Sequence, residues 1–140
     1  MFQFLNFLFG RKFVGWYGEL LARREYKKLG YKILGKNIRF FGRKKQLGEI
    51  DFICRKGNKL LFVEVRSRVS GEDFGLVRKQ ILSSVNYQKQ KRLRVSANRY
   101  LKSRSGLVQP AYSYELCAVV FLDNRGYKLR SSHLLWRIKL

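Results

Sequence analysis

Apolar residues recur at the spacing of an α-helix in two segments of this chain. Trp16, Leu20 and Leu21 recur in this way before Gly30, a natural helix stop, so we predict a helix over 15–29. A second helix, long and strongly basic, is predicted over 86–101. Its apolar stripe would consist of Val85, Leu93, Ala97, Tyr100 and Leu101.

Segments rich in β-branched and aromatic residues predict strands in the rest of the chain. The pair Gly57-Asn58 separates two of them and indicates a hairpin with a two-residue turn. The last long strand is a nearly continuous apolar run, which is typical of a buried central strand. A terminal helix over 132–138, capped by Ser131 or Ser132, completes the pattern. The predicted strands are 31–41 (irregular at 35–37), 49–55, 59–68, 112–122 and 127–130, with a basic loop at 42–47 and a turn at 124–126.

These elements predict a mixed α/β fold in the order α-β-β-β-α-β-β-α, built around one sheet. The length of 140 residues is typical of one domain, and no linker divides the chain, so a single domain over 1–140 is expected. We expect residues 1–14 to form an N-terminal arm, whose apolar stretch Met1–Phe9 is about half the length needed to span a bilayer. It lacks the features of a signal peptide, and a weak membrane-surface anchor is its alternative interpretation.

The charge narrows the classes of partner. The chain has 31 Lys and Arg residues against 9 Asp and Glu residues, a net charge of +22. Such an excess opposes a compact fold unless a polyanion neutralises part of it. DNA or RNA is the partner that this charge favours, ahead of ribosome association or an anionic membrane surface.

Cysteine and histidine usage argues against two kinds of site. Cys54 and Cys117 lie in apolar runs and form no C-x-x-C pair, which gives a zinc site no support and favours buried free thiols in a reducing cytoplasm. His133 has no histidine companion, so we expect it to be structural or solvated.

Acidic residues are rare, and several lie in the predicted hairpin. If Gly57 and Asn58 form its turn, Asp51 faces Glu64 and Glu49 faces Arg66 across the two strands. A like-charge pair such as Asp51 with Glu64 needs compensation, and a divalent cation would provide it. In the alternative interpretation Glu64 pairs with Arg66 or Arg68 at a sheet edge, without a metal.

A series of short motifs also runs along the chain in a characteristic order. It comprises Gly18-Glu19-Leu-Leu-Ala, Leu29-Gly30-Tyr31, Gly48-Glu49-Ile50-Asp51, Phe62-Val63-Glu64-Val65-Arg66-Ser-Arg68, Phe74-Gly75, Lys89-Gln90 and Tyr100-Leu101. In these motifs the chain resembles the YraN family of small bacterial proteins, which is similar to Holliday-junction resolvases and other PD-(D/E)XK nucleases. The resemblance covers about residues 15–122. It implies a restriction-endonuclease-like fold, with a central mixed β-sheet flanked by helices.

The resemblance also implies an active site. Its residues would be Glu19, Asp51, Glu64 and Arg66, assisted by Gln90 or Lys89, with Mg²⁺ or Mn²⁺ held by Asp51 and Glu64. Two positions depart from the family pattern. Arg66 stands where Lys is usual, and arginine cannot act as a general base. Glu115, in Tyr114-Glu115, stands where relatives often carry Phe-Asp.

The expected function is binding of nucleic acid, with metal-dependent phosphodiester hydrolysis of branched or single-stranded DNA. The backbone would be contacted by Arg43, Lys44, Lys45, Arg68, Lys89, Lys91, Arg92 and Arg94. The alternative is a non-catalytic DNA- or RNA-binding protein, or a basic protein associated with the ribosome or a membrane. We expect no small-molecule cofactor and a cytoplasmic location, and the resemblance leaves a homodimer open.

Overall fold

A five-stranded sheet lies between one helix and a pair of helices in the computed structural model, which describes residues 2–70, 74–104, 110–122 and 133–140. The strands lie side by side in chain order, and β3 runs parallel to β4 while the other neighbours are antiparallel. The elements are α1 (Phe2–Lys28), β1 (Lys32–Phe41), β2 (Gln46–Lys56), β3 (Lys59–Ser70), α2 (Phe74–Ser84), α3 (Tyr87–Ser103), β4 (Ala111–Leu122) and β5 (His133–Lys139).

Different helices pack against the two faces of the sheet. On one face, α1 packs Leu21, Ala22 and Tyr26 against buried residues of β2, β3 and β4. On the other face, α3 packs against β2 and β3, and α2 packs against β4. The apolar stripe predicted for the basic helix is buried at every position, and the free cysteines Cys54 and Cys117 are buried as expected.

The helices agree with the sequence pattern only in part. The predicted arm at 1–14 is wrong as a separate element, because α1 begins at Phe2 and continues to Lys28. Gly30 ends it as predicted, with a φ of 93° that favours glycine. The basic helix begins one residue later than predicted, because the Asn86 side chain caps it by accepting a hydrogen bond from the Lys89 amide (3.0 Å). The helix α2 was not predicted, and none of the described helices is long and apolar enough to cross a membrane.

The predicted terminal helix over 132–138 is wrong, because this segment forms β5 beside β4. Arg137 explains the difference: its Nε and Nη2 donate to the two Glu115 carboxylate oxygens at 2.7 and 2.8 Å. The Tyr26 hydroxyl also donates to Glu115 (2.9 Å), so this carboxylate joins β5 to β4 and α1. His133 is exposed on this edge strand, as expected. The predicted turn at 124–126, the strand at 127–130 and the two serine caps lie outside the described residues.

Two glycines allow the helices to approach the sheet closely. A Cβ at Gly18 in α1 would overlap the Ser67 hydroxyl of β3. A Cβ at Gly48 in β2 would overlap the hydroxyl of Ser96 in α3. Because each glycine directly precedes a glutamate, Glu19 or Glu49, these close contacts fix the backbone beside two acidic residues.

The contact of Gly48 with α3 predicts a rescue of stability. Gly48→Ala should lower the free energy of unfolding by about 1–3 kcal/mol, because the added methyl group meets the Ser96 hydroxyl. Ser96→Ala alone should change it by less than about 1 kcal/mol, since that buried hydroxyl has no hydrogen-bond partner. The double variant should recover most of the loss, because the next atom, the Arg92 carbonyl oxygen, is 3.4 Å away. Urea unfolding of wild type, the two single variants and the double variant measures these free energies. If the losses of the two single variants simply add in the double variant, the prediction is contradicted.

Candidate active site

The two strands of the central hairpin separate part of the way along their length. Their pairing follows the predicted register from the Lys56–Lys59 pair to the Phe52–Val63 pair, where it ends. Beyond that point β2 remains paired with β1 alone. The predicted cross-strand pairs of Asp51 with Glu64 and of Glu49 with Arg66 are therefore wrong.

Asp51 occupies the point of separation. Its Oδ2 accepts a hydrogen bond from the backbone amide of Val65 at 2.7 Å, so a side chain takes the place of a strand partner. The alternation of side chains changes here as well, because Ile50 and Ile53 lie in the same core cluster on the α3 side. The carboxylate of Asp51 is thus brought beside Glu64 by a local irregularity of β2 rather than by a regular strand pair.

A cleft of about 1050 Å³ opens where the strands separate, between α1 and α3. Four of the nine acidic residues line it: Glu19, Glu49, Asp51 and Glu64. Five basic residues also line it: Lys45, Arg66, Arg68, Lys89 and Arg92. A protein with a charge of +22 thus gathers almost half of its carboxylates in one place.

Glu64 is the most enclosed of these carboxylates, with 7% of its surface exposed. Its Oε1 contacts two cations, Arg66 Nη2 at 3.1 Å and Lys89 Nζ at 3.3 Å. The alternative pairing of Glu64 with Arg66 is therefore observed, although β3 is the middle strand of the sheet and not an edge. Glu49 instead pairs with Arg39 (3.5 Å).

Burial and mutual repulsion make these carboxylates hard to ionise. Burial, together with the neighbouring charges of Glu64 and Glu19, raises the pKa of Asp51 to about 8. Burial also raises the pKa of Glu64, against the lowering effect of Arg66. The pKa of Glu19 is raised by burial and by Glu49 and Glu64, although Arg23 lies 3.8 Å away. Without a further cation, part of this group holds protons near neutral pH.

The fit of Asp51 and Glu64 to a divalent cation rests on the closeness of their carboxyl groups. Burial and the neighbouring charge of Glu64 raise the pKa of Asp51 and favour its protonated form. A divalent cation held by both residues would take the place of that proton. Within the described residues no three His, Cys, Asp or Glu side chains form a metal-binding group, so backbone oxygen and water would have to complete the coordination of Mg²⁺ or Mn²⁺.

Some of the other predicted site residues line the cleft, and others lie outside it. Gln90 does not line the cleft, because its side-chain amide donates to the Val85 carbonyl oxygen at 3.2 Å. Lys89, one residue earlier, reaches Glu64 instead.

Among the predicted nucleic-acid contacts, Lys45, Arg68, Lys89 and Arg92 line the cleft, and Arg43, Lys44 and Lys91 are exposed outside its lining. Arg94 lies over the Tyr114 ring, with its guanidinium carbon 5.8 Å from the ring centroid.

Gln46 is a site residue that was not predicted; it lines the cleft and donates to Glu49 Oε2 (3.4 Å). The role of Gly18 and Gly48 in bringing the cleft walls together was not predicted either. The only signal for the two glycines was the Gly-Glu pair at 18–19 and 48–49, which also occurs at 71–72.

Comparison with known proteins identifies the family. The chain matches the Uncharacterised protein family UPF0102 over residues 18–119, which include every lining residue of the cleft from Glu19 onward. It is 37% identical to the UPF0102 protein of Pelotomaculum thermopropionicum over 88% of this chain and 92% of that protein. It is also 32% identical to the UPF0102 protein DSY2577 of Desulfitobacterium hafniense, over 90% and 93% of the two chains. The protein therefore belongs to the UPF0102 (YraN) family, as the motifs indicated.

The raised pKa of Asp51 predicts how stability depends on pH when divalent cations are removed with a chelator. Folded Asp51 binds its proton more tightly than the unfolded chain does, so the free energy of unfolding should fall as pH rises from about 4 to about 8. Asp51→Asn should reduce this slope, and at pH 8 the variant should be more stable than wild type by about 1–3 kcal/mol. Glu25→Gln, on α1 and outside the cleft lining, controls for the loss of one negative charge. A wild-type stability that rises over this pH range would contradict the prediction.

Proposed function

We propose that this protein is a metal-dependent nuclease with a restriction-endonuclease-like fold, and that it binds nucleic acid in the cleft and hydrolyses a phosphodiester bond. The observation that carries the proposal is the half-buried Asp51 carboxylate beside Glu64 where β2 leaves β3, with Lys89 and Arg66 against Glu64. An acidic residue on α1, Glu19, completes the arrangement that the PD-(D/E)XK resemblance implies. Nucleic acid as partner and a cytoplasmic location form part of this proposal.

Asp51 and Glu64 are the residues that would hold Mg²⁺ or Mn²⁺. A divalent cation bound there supplies a more acidic water molecule and stabilises charge on the phosphate. Glu64 is held in place by its two cationic neighbours, and Asp51 by the Val65 amide, so both carboxylates are positioned before any ligand arrives.

Arg66 and Lys89 have different tasks in this mechanism. Arg66 stays protonated and can only stabilise negative charge on a phosphate oxygen. Lys89 carries an ammonium group on the opposite wall, and its proton can be transferred at Nζ. We therefore assign to Lys89 the donation of this proton to the leaving oxygen as the phosphodiester bond breaks, a step that Arg66 cannot perform.

The remaining cations of the cleft fit a phosphate backbone. Lys45, Arg68 and Arg92 line it together with the carboxylates and can contact phosphates on either side of the reacting one. Such contacts release counterions, so the affinity for nucleic acid should fall steeply with salt.

A second function, binding of DNA or RNA without cleavage, is favoured by one observation. Glu64 already has two cationic partners, so part of the carboxylate charge is neutralised without a metal. In that case Asp51 and Glu64 serve to hold the cleft open, and the basic residues alone carry the function.

Cleavage assays distinguish the two functions. With Mg²⁺ or Mn²⁺, wild type should cleave branched or single-stranded DNA, and Asp51→Ala and Glu64→Ala should each lower the rate by at least about 10³-fold. Lys89→Ala should lower it by about 10²-fold or more, because a proton-transferring group is lost. Lys102→Ala is the matched control, since Lys102 lies on the same helix, exposed and outside the cleft lining. Equal rates for wild type and the Asp51 variant would refute catalysis by this site.

Metal binding can be tested without cleavage. Mn²⁺ should raise the melting temperature of wild type more at pH 8 than at pH 6, because the cation must displace the proton that the raised pKa of Asp51 favours at the lower pH. Asp51→Asn should abolish the rise, whereas Glu49→Gln should preserve it, since Glu49 is occupied by Arg39. An equal Mn²⁺ effect in wild type and Asp51→Asn would place the cation elsewhere.

A further inference from the structure

The turn that joins β1 to β2 is compact and strongly basic. We call residues Phe41–Gln46 the basic turn; it is closed by a hydrogen bond from the Gly42 amide to the Lys45 carbonyl oxygen at 2.8 Å. Phe41 and Gln46 are partners at its base, and Arg43, Lys44 and Lys45 are exposed at its tip.

Phe41 is unusually exposed for a hydrocarbon side chain. Its exposed fraction is 66%, compared with 53% for Leu76 and 40% for Val95. Single exposed apolar residues are common on protein surfaces and need no function. Phe41, however, stands among four cations, with Arg39 two residues before it and the three basic residues of the turn after it. An aromatic ring set among cations suits a ligand that offers flat apolar faces together with negative charge.

The basic turn is continuous with the cleft. Lys45 and Gln46 line the cleft, and Gln46 donates to Glu49, another lining residue. Arg39 holds the same Glu49 carboxylate from β1, on the strand that carries Phe41. A strand of nucleic acid that leaves the cleft past Lys45 and Gln46 would therefore meet the turn that carries Phe41, the strand partner of Gln46.

We propose that the basic turn recognises unpaired bases, with Phe41 stacking on one base while Arg43, Lys44 and Lys45 contact the neighbouring phosphates. The proposal rests on the proposed function, because it requires nucleic acid in the cleft. Aromatic side chains stack on bases of single strands, whose faces are free, whereas bases within a duplex already stack on each other. The turn thus selects nucleic acid with unpaired segments over a continuous duplex.

The test compares three labelled ligands by fluorescence anisotropy at fixed salt: a short single-stranded oligothymidylate, an abasic strand of the same length and charge, and a duplex. Phe41→Ala should weaken binding of the single strand about 5- to 100-fold and change binding of the duplex and the abasic strand by less than about 2-fold. Phe41→Trp should preserve the preference for the single strand, because it keeps a stacking face. Lys44→Ala should weaken all three ligands alike and lower the salt dependence.

Tyr112→Ala is the matched control for loss of an exposed aromatic ring. Tyr112 is 43% exposed and pairs with Leu60, at the end of β3 opposite the cleft, so its loss should leave all three affinities unchanged. Equal effects of Phe41→Ala on all three ligands would overturn base recognition while leaving the proposed function intact. If wild type binds none of the ligands, the proposed function fails and this proposal with it. Vesicles of anionic lipid are tested as a fourth ligand. If Phe41→Ala weakens binding to these vesicles alone, the turn serves a membrane surface and base recognition is refuted.

Discussion

The hydrogen bond from the Val65 amide to the Asp51 carboxylate is the contact on which the rest of the site depends. A backbone amide in the middle of a sheet must find an acceptor, and β2 can leave β3 only if something replaces its carbonyl groups. The Asp51 side chain does so at 2.7 Å. Because the same contact lets the strands separate and places a carboxylate beside Glu64, the opening of the cleft and the clustering of acids have a common cause.

The walls of the cleft depend on close packing at two glycines. Gly18 brings α1 onto Ser67 of β3, and Gly48 brings β2 onto Ser96 of α3. Interiors packed this tightly do not absorb an added methyl group without displacing a neighbour. The distance between Glu19 on one wall and Lys89 on the other is therefore controlled by small residues that carry no chemistry themselves.

The sequence predicted the features that depend on local pattern and missed those that depend on distant contacts. Gly57-Asn58 was enough to predict the register of five strand pairs, and Asn86 and the apolar stripe predicted α3. The strand β5 was mistaken for a helix because Glu115, which binds Arg137 of β5, lies 22 residues earlier in the chain. The predicted strand pairing does not extend to Asp51, because there the Asp51 side chain, rather than the backbone, accepts the hydrogen bond from β3. Choosing Lys89 over Gln90 required knowing which side of α3 faces Glu64, which no spacing in the sequence reveals.

The charges of the cleft explain why binding and chemistry would be carried out by different residues. Four carboxylates line it against five cations, so the centre is close to neutral despite the net charge of +22. A phosphate entering it meets repulsion from Asp51 and Glu64 unless a cation or a proton lies between them. Attraction must then come from exposed basic side chains at the edge, such as those of the basic turn. Their charges act over a screening length of roughly 8–10 Å at physiological salt. Under the proposed function, this arrangement would let the edge hold a polyanion while Asp51 and Glu64 at the centre hold a cation.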